Sequence, residues 1–341
     1  MYITNKRRRP QLGPIMLDNT IIAEVSSHTN LGLLITNNLS WKLHISMVTD
    51  KAHRRLNIIA RYKNILPRLA LERLYVTMIR PVIEYGDVIY DMAPQYVVQL
   101  AEKVQRRAAL ICSGAYRHTE TQTLLRELSW LPLNTRRKHH KLILFYKIYH
   151  HIYPNYLFNL IPPIHTPHYN LRRRQEFRLP TNRLQSSNNS YFPATAKVWN
   201  NLSPPIKNSN SVTIFKNKIN PPKIKNPYYT LCSGKQGRWL CRLRLGLSGL
   251  NAHRFSYHLI DNPLCSVCGD TYETTSHFFF YCNSYSDARR AMYDSLADLG
   301  INTQDKNILL QVILHGTHFL HVADSLLQII YTFLTNTNRF R

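Results

Sequence analysis

Prolines divide this chain of 341 residues into segments with different structural possibilities. Eleven of its 18 prolines lie between residues 154 and 227, where Asn and Ser are also frequent. Because proline lacks a backbone donor and clashes with the preceding helical turn, this stretch cannot form one continuous helix or a central strand. The sequence therefore predicts an extended or partly disordered linker over residues 154–227, with local docking points at Tyr191-Phe192, Trp199 and Phe215.

The segment before residue 39 has the pattern of short β structure. Its apolar runs are Ile15 to Leu17, Ile21 to Val25 and Leu31 to Ile35, and Asp18-Asn19 is a turn signal between the first two. Three short strands are too few for a self-sufficient sheet. We therefore expect residues 1–38 to form a small β element that belongs to a larger sheet.

Residues 39–153 change to the periodicity of helices. The first apolar stripe at helical spacing consists of Ile45, Val48, Ala52, Leu56 and Ile59. Further helices are predicted after Pro67 and after Pro94, whereas Pro81 should kink or end the helix that contains it. A longer helix is predicted from Leu133 to Ile152. The expected fold class is mainly α with a small N-terminal β remnant.

The most specific motif is Cys265-x2-Cys268-x8-His277-x4-Cys282. A tetrahedral zinc ion needs four nitrogen or sulfur ligands, and a CxxC turn presents two thiolates to one ion. Gly269 follows the pair, where a tight backbone turn favours glycine. The alternative is four unrelated buried residues, since cysteine is among the most buried residue types. The spacing predicts a closed, structural Zn²⁺ site in a small α-rich C-terminal domain.

Positive charge is concentrated in the middle of the chain. The net charge is +25, but residues 128–260 hold 21 basic residues and one acid, Glu176, whereas residues 261–341 have a net charge of −3. A surplus of this size favours a polyanionic partner, and nucleic acid is the leading one. An anionic membrane surface is the weaker alternative.

Three basic clusters are the candidate nucleic-acid contacts. Their residues are Lys103, Arg106 and Arg107, then Arg136, Arg137 and Lys138, then Arg172, Arg173 and Arg174. Cations bind phosphates, and nearby aromatic residues such as Trp130 and Tyr149 can stack on bases. For any single cluster the alternative is a solvated helix face. Several clusters with almost no acids between them favour contact with nucleic acid.

Several classes of function are excluded. A two-metal polymerase uses a pair of acids, often adjacent, and no Asp-Asp, Asp-Glu or Glu-Asp dipeptide occurs here. We therefore predict no catalytic residues, no catalytic Mg²⁺ site and no small-molecule substrate. No apolar run reaches the ~18 residues of a spanning helix, and the start has no signal-peptide pattern. The expected location is intracellular, in the nucleus or cytoplasm, without membrane association.

Short motifs across most of the chain occur in an order typical of one family. They include Leu31-Gly32, Leu39-Ser40-Trp41, Leu74-Tyr75, Arg80-Pro81-Val82-Ile83-Glu84-Tyr85, Glu102-Lys103-Val104-Gln105-Arg106-Arg107-Ala108, Glu127-Leu128-Ser129-Trp130-Leu131-Pro132-Leu133, Trp199-Asn200, Arg242-Leu243-Arg244-Leu245-Gly246 and Leu250-Asn251-Ala252-His253. Together with the Cys/His motif that follows, this series resembles the C-terminal part of the reverse-transcriptase polyprotein of jockey-like non-LTR retrotransposons.

The resemblance implies a domain organisation and a function. Residues 1–38 would be a remnant of the palm strands, residues 39–153 a thumb-like helical domain, residues 154–227 a basic linker and residues 228–341 a C-terminal domain with a zinc knuckle. The family's catalytic Asp-Asp motif lies upstream of these segments. The resemblance thus implies a truncated RNA-directed DNA polymerase fragment, inactive on its own, whose residual role is to bind RNA or an RNA–DNA duplex.

Two other interpretations stay open. The chain would be one segment of an active endonuclease–reverse transcriptase if its upstream part had been missed. Alternatively, the C-terminal domain would be a zinc-dependent protein-interaction module, which the acidic balance of residues 261–341 favours.

Overall fold

The computed structural model describes residues 1–4, 13–164, 176–181, 185–221, 225–232 and 234–340. Within these ranges the chain is mainly helical with two short β hairpins near the N-terminus, which confirms the predicted fold class. In chain order, the α-helices up to residue 158 are Lys42–Arg61, Arg68–Leu74, Arg80–Glu84, Asp87–Tyr90, Gln95–Ser113, Thr121–Glu127, Leu133–Tyr149 and Asn155–Phe158. Those after residue 184 are Gln185–Asn188, Tyr191–Asn200, Pro204–Lys207, Val212–Ile219, Pro227–Leu231, Gly234–Arg244, Asn251–Ser256, Ser286–Asp298, Lys306–His315 and Ala323–Asn336.

The two hairpins form separate two-stranded antiparallel sheets. Met16–Leu17 pairs with Thr20–Ile21, and the residues between them, Asp18 and Asn19, have φ values of 44° and 63°. Positive φ at both central positions is the geometry of a two-residue hairpin turn, so the turn predicted there is confirmed. Ser27–Asn30 pairs with Leu33–Thr36.

The second hairpin corrects a predicted strand boundary. The apolar run suggested a strand from Leu31, but Leu31 and Gly32 form the turn, with φ values of 47° and 79°. Left-handed backbone at both positions cannot continue a strand, and glycine adopts it without a Cβ clash.

The prolines mark helix boundaries as the sequence predicts. Helices begin directly after Pro67 and Pro94. The turn before Pro81 is π-helical over Tyr75–Ile79, and a short α-helical segment, Arg80–Glu84, contains the proline. A π turn widens the backbone where the proline ring would clash with the preceding carbonyl, which accounts for the predicted irregularity.

The described residues form two compact units, each assembled from three stretches of chain. The first unit contains Met1–His53, Arg80–Gln105 and Leu131–Lys223. The second contains Arg54–Ile79, Arg106–Trp130 and Ile224–Arg341. The second unit therefore combines parts of the segment 39–153 with the C-terminal segment.

The core of the first unit corrects the prediction for residues 154–227. The described part of this segment contains short helices rather than an extended chain. Trp199 and Phe215 are buried, and their rings lie 5.7 Å apart, with Phe145 of helix Leu133–Tyr149 at 5.2 Å from Trp199. Proline excluded one long helix, but it starts short helices without penalty at their first positions, as in Pro204–Lys207. The docking role predicted for Trp199 and Phe215 is confirmed.

The second unit has the larger apolar cluster. Helix Ala323–Asn336 buries Phe333 against Phe278 and Phe279, with ring centroids 5.4 Å and 5.3 Å apart. Elsewhere in this unit Tyr75 stacks on Trp130 at 4.4 Å. None of the described helices combines the length and apolar character needed to cross a bilayer.

Candidate metal centre and basic residues

The four predicted metal ligands converge in the second unit. One ligand atom each from Cys265, Cys268, His277 and Cys282 lies within 4.8 Å of every other. Sγ of Cys265 is 3.9 Å from Sγ of Cys282, and Sγ of Cys268 is 3.4 Å from Nε2 of His277. Tetrahedral coordination with Zn–S of ~2.3 Å and Zn–N of ~2.1 Å gives an S–S separation of ~3.8 Å and an S–N separation of ~3.6 Å. The four residues can therefore hold a metal ion.

A tight turn presents the first two thiols. The N–H of Gly269 donates to the carbonyl of Cys265 at 2.8 Å, and Gly269 has a φ of 76°. The N–H of Cys265 in turn donates to the carbonyl of Thr271 at 2.8 Å, which begins an antiparallel return of the chain. This return uses the eight-residue spacer to bring His277 back to the CxxC turn.

A π-helical turn positions the other two ligands. His277–Tyr281 is π-helical, and the N–H of Cys282 donates to the carbonyl of His277 at 2.9 Å. A π turn hydrogen-bonds residues five apart, which is the His277-to-Cys282 separation. The x4 spacing therefore has a direct structural reason.

Neighbouring groups orient the imidazole of His277 and shift the pKa values of the candidate ligands. Burial lowers the pKa of His277 below 6.5, so its imidazole is neutral near pH 7, and Nδ1 lies 2.8 Å from Oγ1 of Thr271. Such a partner orients the ring and leaves Nε2 for the metal. A main-chain hydrogen bond from Asp270 lowers the pKa of Cys268, whereas burial raises that of Cys282 to about 11. A cation among the thiols would favour both thiolates.

A buried carboxylate lies in the spacer between Cys268 and His277. Glu273 is fully buried, and Arg339 donates to both of its oxygens, with Nη2 2.6 Å from Oε2. The main-chain N–H of Asn251 also donates to Oε2, at 2.7 Å. The metal loop is thereby joined to the helix Asn251–Ser256 and to the C-terminal residues.

The remaining cysteines are outside the metal cluster. Cys112, Cys232 and Cys241 are buried and form no disulfide. Burial raises the pKa of Cys112, and it raises that of Cys241 to about 12, so both stay protonated. Burial without a disulfide or a metal-ligand cluster is typical of core thiols.

Most cations of the second basic cluster are paired with acids inside the first unit. Nη2 of Arg136 donates to Glu84 at 2.9 Å, and Arg137 donates to Asp91 at 3.0 Å. Arg137 is almost completely buried and also contacts Glu102, whereas Lys138 is exposed. The carboxylates come from residues 84–102, so the positive charge of this helix face is largely neutralised internally.

The first basic cluster, Lys103, Arg106 and Arg107, also contains both hydrogen-bonded and exposed cations. In the second unit, Nη2 of Arg106 donates to the carbonyls of Arg117 and Thr119 at 2.5 and 3.1 Å, which holds the loop that follows Ser113. Arg107 donates to Oδ1 of Asn57 at 2.5 Å. Lys103, in the first unit, is exposed. The third predicted cluster, Arg172, Arg173 and Arg174, lies outside the described residues.

Three exposed cations, Arg178, Lys197 and Lys216, were not predicted from the sequence because they lie outside the basic clusters, whereas Lys138 was predicted. Lys138, Arg178, Lys197 and Lys216 are exposed in the first unit. No ion pair found among the described residues includes any of them. The signal that could have found them was the scarcity of acids, since Glu176 is the single acid among residues 128–260.

A buried ion network occupies the second unit. Glu127 accepts from Arg68 and Arg244 at 2.8 and 2.6 Å, and the three side chains are 1–6% exposed. Glu72 pairs with Arg68 at 3.0 Å and with Lys225 at 2.8 Å. Arg68, Glu72, Glu127 and Arg244 serve the fold, because their buried charges face one another, whereas Lys225 is 45% exposed.

No protein-family model matches this chain, and we found neither a similar curated protein nor a matching solved structure.

Proposed function

We propose that this chain binds RNA or RNA–DNA duplexes through the phosphate backbone, as a C-terminal part of a non-LTR retrotransposon reverse transcriptase. The supporting observation is the set of exposed, unpaired cations Lys138, Arg178, Lys197 and Lys216, in a stretch with a single acid. Protein cations that neutralise phosphates release counterions, so binding of this kind is salt-sensitive and tolerant of sequence. The motif order described above supports the family.

The salt dependence of binding tests the proposal. The affinity of the full chain for a labelled RNA should fall steeply as salt rises, with a slope of log Kd that counts the phosphates contacted. The variant K138Q/R178Q/K197Q/K216Q should bind more weakly and with a shallower slope. A flat salt dependence of the unaltered chain would refute the proposal.

A matched control variant tests whether the position of the cations matters or only the net charge of the protein. The variant K42Q/K51Q/R61Q/R290Q removes the same number of exposed cations from helix Lys42–Arg61 and from Arg290. We expect it to retain most of the affinity. Equal losses in the two variants would mean that binding responds only to net charge.

We also propose that the Cys/His site holds a structural zinc ion. Three thiolates and one imidazole in a closed tetrahedral arrangement are the ligand set that zinc prefers, and four protein ligands leave no position for a reacting water. Metal analysis should find one zinc per chain, which C268S and H277A should each lose and C112A should keep. One zinc per chain in both ligand variants would exclude this assignment.

No polymerase activity is proposed for this chain. The adjacent acids of a two-metal site do not occur in its 341 residues. A primer-extension assay with the 341-residue protein and Mg²⁺ should give no product. Primer extension that is abolished by a substitution in this chain would establish activity, because such a substitution would not affect a contaminating polymerase.

The alternative function as a protein-interaction module makes a different prediction. Removal of zinc would then abolish binding of a protein partner and leave the affinity for RNA unchanged.

A further inference from the structure

Two cavities in the second unit share Tyr116 and Ser248 among their lining residues. The larger has a volume of about 450 Å³ and the smaller about 170 Å³. Their other walls include Trp239, Arg242, Arg254 and Tyr257. We refer to the two cavities together as the Tyr116 groove. The larger cavity alone is within the usual size range of small-ligand sites.

Aromatic side chains in the groove expose their rings. Tyr116 is 39% exposed and Tyr257 is 49% exposed, so part of each ring surface is open to a ligand. The guanidinium of Arg242 lies 4.2 Å from the ring centroid of Tyr116, and Nζ of Lys235 lies 5.4 Å from that of Trp239. The rings of Tyr116 and Trp239 therefore each have a cation beside them.

The arginines that line the groove give it positive charge. Arg254 is exposed, and Nε of Arg242 donates to the carbonyl of Gly114 at 2.8 Å, which fixes the guanidinium beside Tyr116. Among the described residues that line the two cavities, none is acidic. Aromatic surfaces alternating with cations match the bases and phosphates of a single strand. An acidic peptide would match only the cations.

We propose that the Tyr116 groove binds unpaired bases and adjoining phosphates of single-stranded nucleic acid. Tyr116 and Tyr257 provide the stacking surfaces, and Arg242 and Arg254 contact the phosphates. This inference rests on the proposed function, because it assigns the base-contacting site of the same nucleic-acid partner. In the proposed function the exposed cations of the first unit contact phosphates, and the groove adds the recognition of unpaired bases and of the phosphates beside them.

The metal loop supports one wall of the groove. His253 lines the larger cavity, and its Nδ1 lies 2.7 Å from Oγ of Ser248, another lining residue. On its other side Nε2 lies 3.5 Å from Oγ1 of Thr275, two positions before the ligand His277. Removing the metal should therefore disturb the groove and reduce base-dependent binding.

Abasic oligonucleotides separate stacking from phosphate contacts. The full chain is titrated with a single-stranded oligonucleotide of about 10 nucleotides and with an abasic strand of equal length and charge. We expect the base-containing strand to bind at least about fivefold more tightly, since stacking on aromatic side chains contributes that much or more per base. In Y116L/Y257L this preference should disappear while the salt slope stays unchanged.

The control variant Y62L/Y96L removes two other exposed tyrosines and should keep the preference. A strand that contains 2-aminopurine gives a second measurement on the unaltered protein. The fluorescence of 2-aminopurine should be quenched when this base stacks on a tyrosine of the groove. Equal affinity for both strands, without quenching, would overturn the groove assignment and leave the salt-dependent proposed function standing. If Y116L/Y257L instead lost affinity for an oligo-glutamate peptide and kept its preference for bases, the groove would be a peptide site.

Discussion

The guanidinium of Arg244 donates a hydrogen bond from Nη2 to Oε1 of Glu127 at 2.6 Å, across 117 positions of sequence. Arg68 donates from Nη1 to the same oxygen at 2.8 Å and from Nη2 to the main-chain carbonyl of Glu127 at 2.7 Å. Glu127 and Arg244 belong to two of the motifs that carry the family resemblance. The contact joins these motifs inside one compact unit, so the C-terminal residues and a segment near residue 127 fold together.

Glu127→Gln should destabilise the second unit strongly. The substitution keeps the size of the side chain, but it leaves the buried Arg244 without its carboxylate partner and Arg68 with Glu72 as its remaining one. Breaking a buried ion pair in this way costs about 3–5 kcal/mol in the free energy of unfolding. Urea denaturation of the full chain measures the loss.

Asp294→Asn is the matched control for this substitution. Asp294 is exposed on helix Ser286–Asp298, and its neutralisation should change the free energy of unfolding by less than about 0.5 kcal/mol. Similar denaturation midpoints for the Glu127 and Asp294 variants would show that the buried network does not stabilise the fold.

The stability contributed by Glu127 should depend on pH in the acidic range. Burial alone would raise the pKa of Glu127, but the charges of Arg244 and Arg68 and their hydrogen bonds hold it below its ordinary value of 4.5. The unfolded chain therefore binds this proton at a higher pH than the folded chain does. The contribution is fully present above pH 4.5 and is lost as the pH falls through the folded pKa.

The difference between the unaltered chain and Glu127→Gln isolates this effect. Urea unfolding at a series of pH values from about 6 to about 3 should show a shallower loss of stability in the variant. Parallel curves for the two proteins would contradict a depressed pKa at Glu127.

Thr271→Val should weaken metal binding without removing a ligand. Oγ1 of Thr271 lies 2.8 Å from Nδ1 of His277 and sets the orientation of the imidazole. Loss of such a partner weakens metal affinity by about 10- to 100-fold. Competition with a chromophoric chelator measures the affinity. Ser284→Ala changes an exposed residue near Cys282, and this control should bind metal with the affinity of the unaltered chain. If Thr271→Val bound metal as tightly as the control, Thr271 would not orient the imidazole of His277.

Trp199→Ala should unfold the helical part of residues 191–219. Trp199 is buried among Phe145, Tyr149 and Phe215. Truncating a buried tryptophan leaves a cavity and costs about 3–5 kcal/mol. Denaturant titration gives the stability of the variant, and limited proteolysis should show new cleavage within residues 191–219.

The exposed Ile152 provides the comparison for Trp199. Ile152→Ala should change the free energy of unfolding by less than about 0.5 kcal/mol and leave the proteolysis pattern intact. If residues 191–219 were an extended linker, the two variants would behave alike.

Features formed by residues that are close together in the sequence could be predicted from the sequence alone. The cluster of Cys265, Cys268, His277 and Cys282 could be predicted because short spacings restrict where these side chains can meet. The turn at Asp18-Asn19 and the helix starts after Pro67 and Pro94 were equally local. Each depends on the backbone preferences of a few consecutive residues.

The tertiary structure alone decided which basic residues remain available to a partner. Composition counts Arg137 and Lys138 alike, yet the first is buried against Asp91 and the second is exposed. The same holds for Arg244, whose carboxylate partner is 117 positions away. Charge pairing over such separations depends on how helices pack, which no spacing rule encodes. The sequence by itself determined the candidate metal ligands and the surplus of positive charge, whereas packing determined where that charge is exposed.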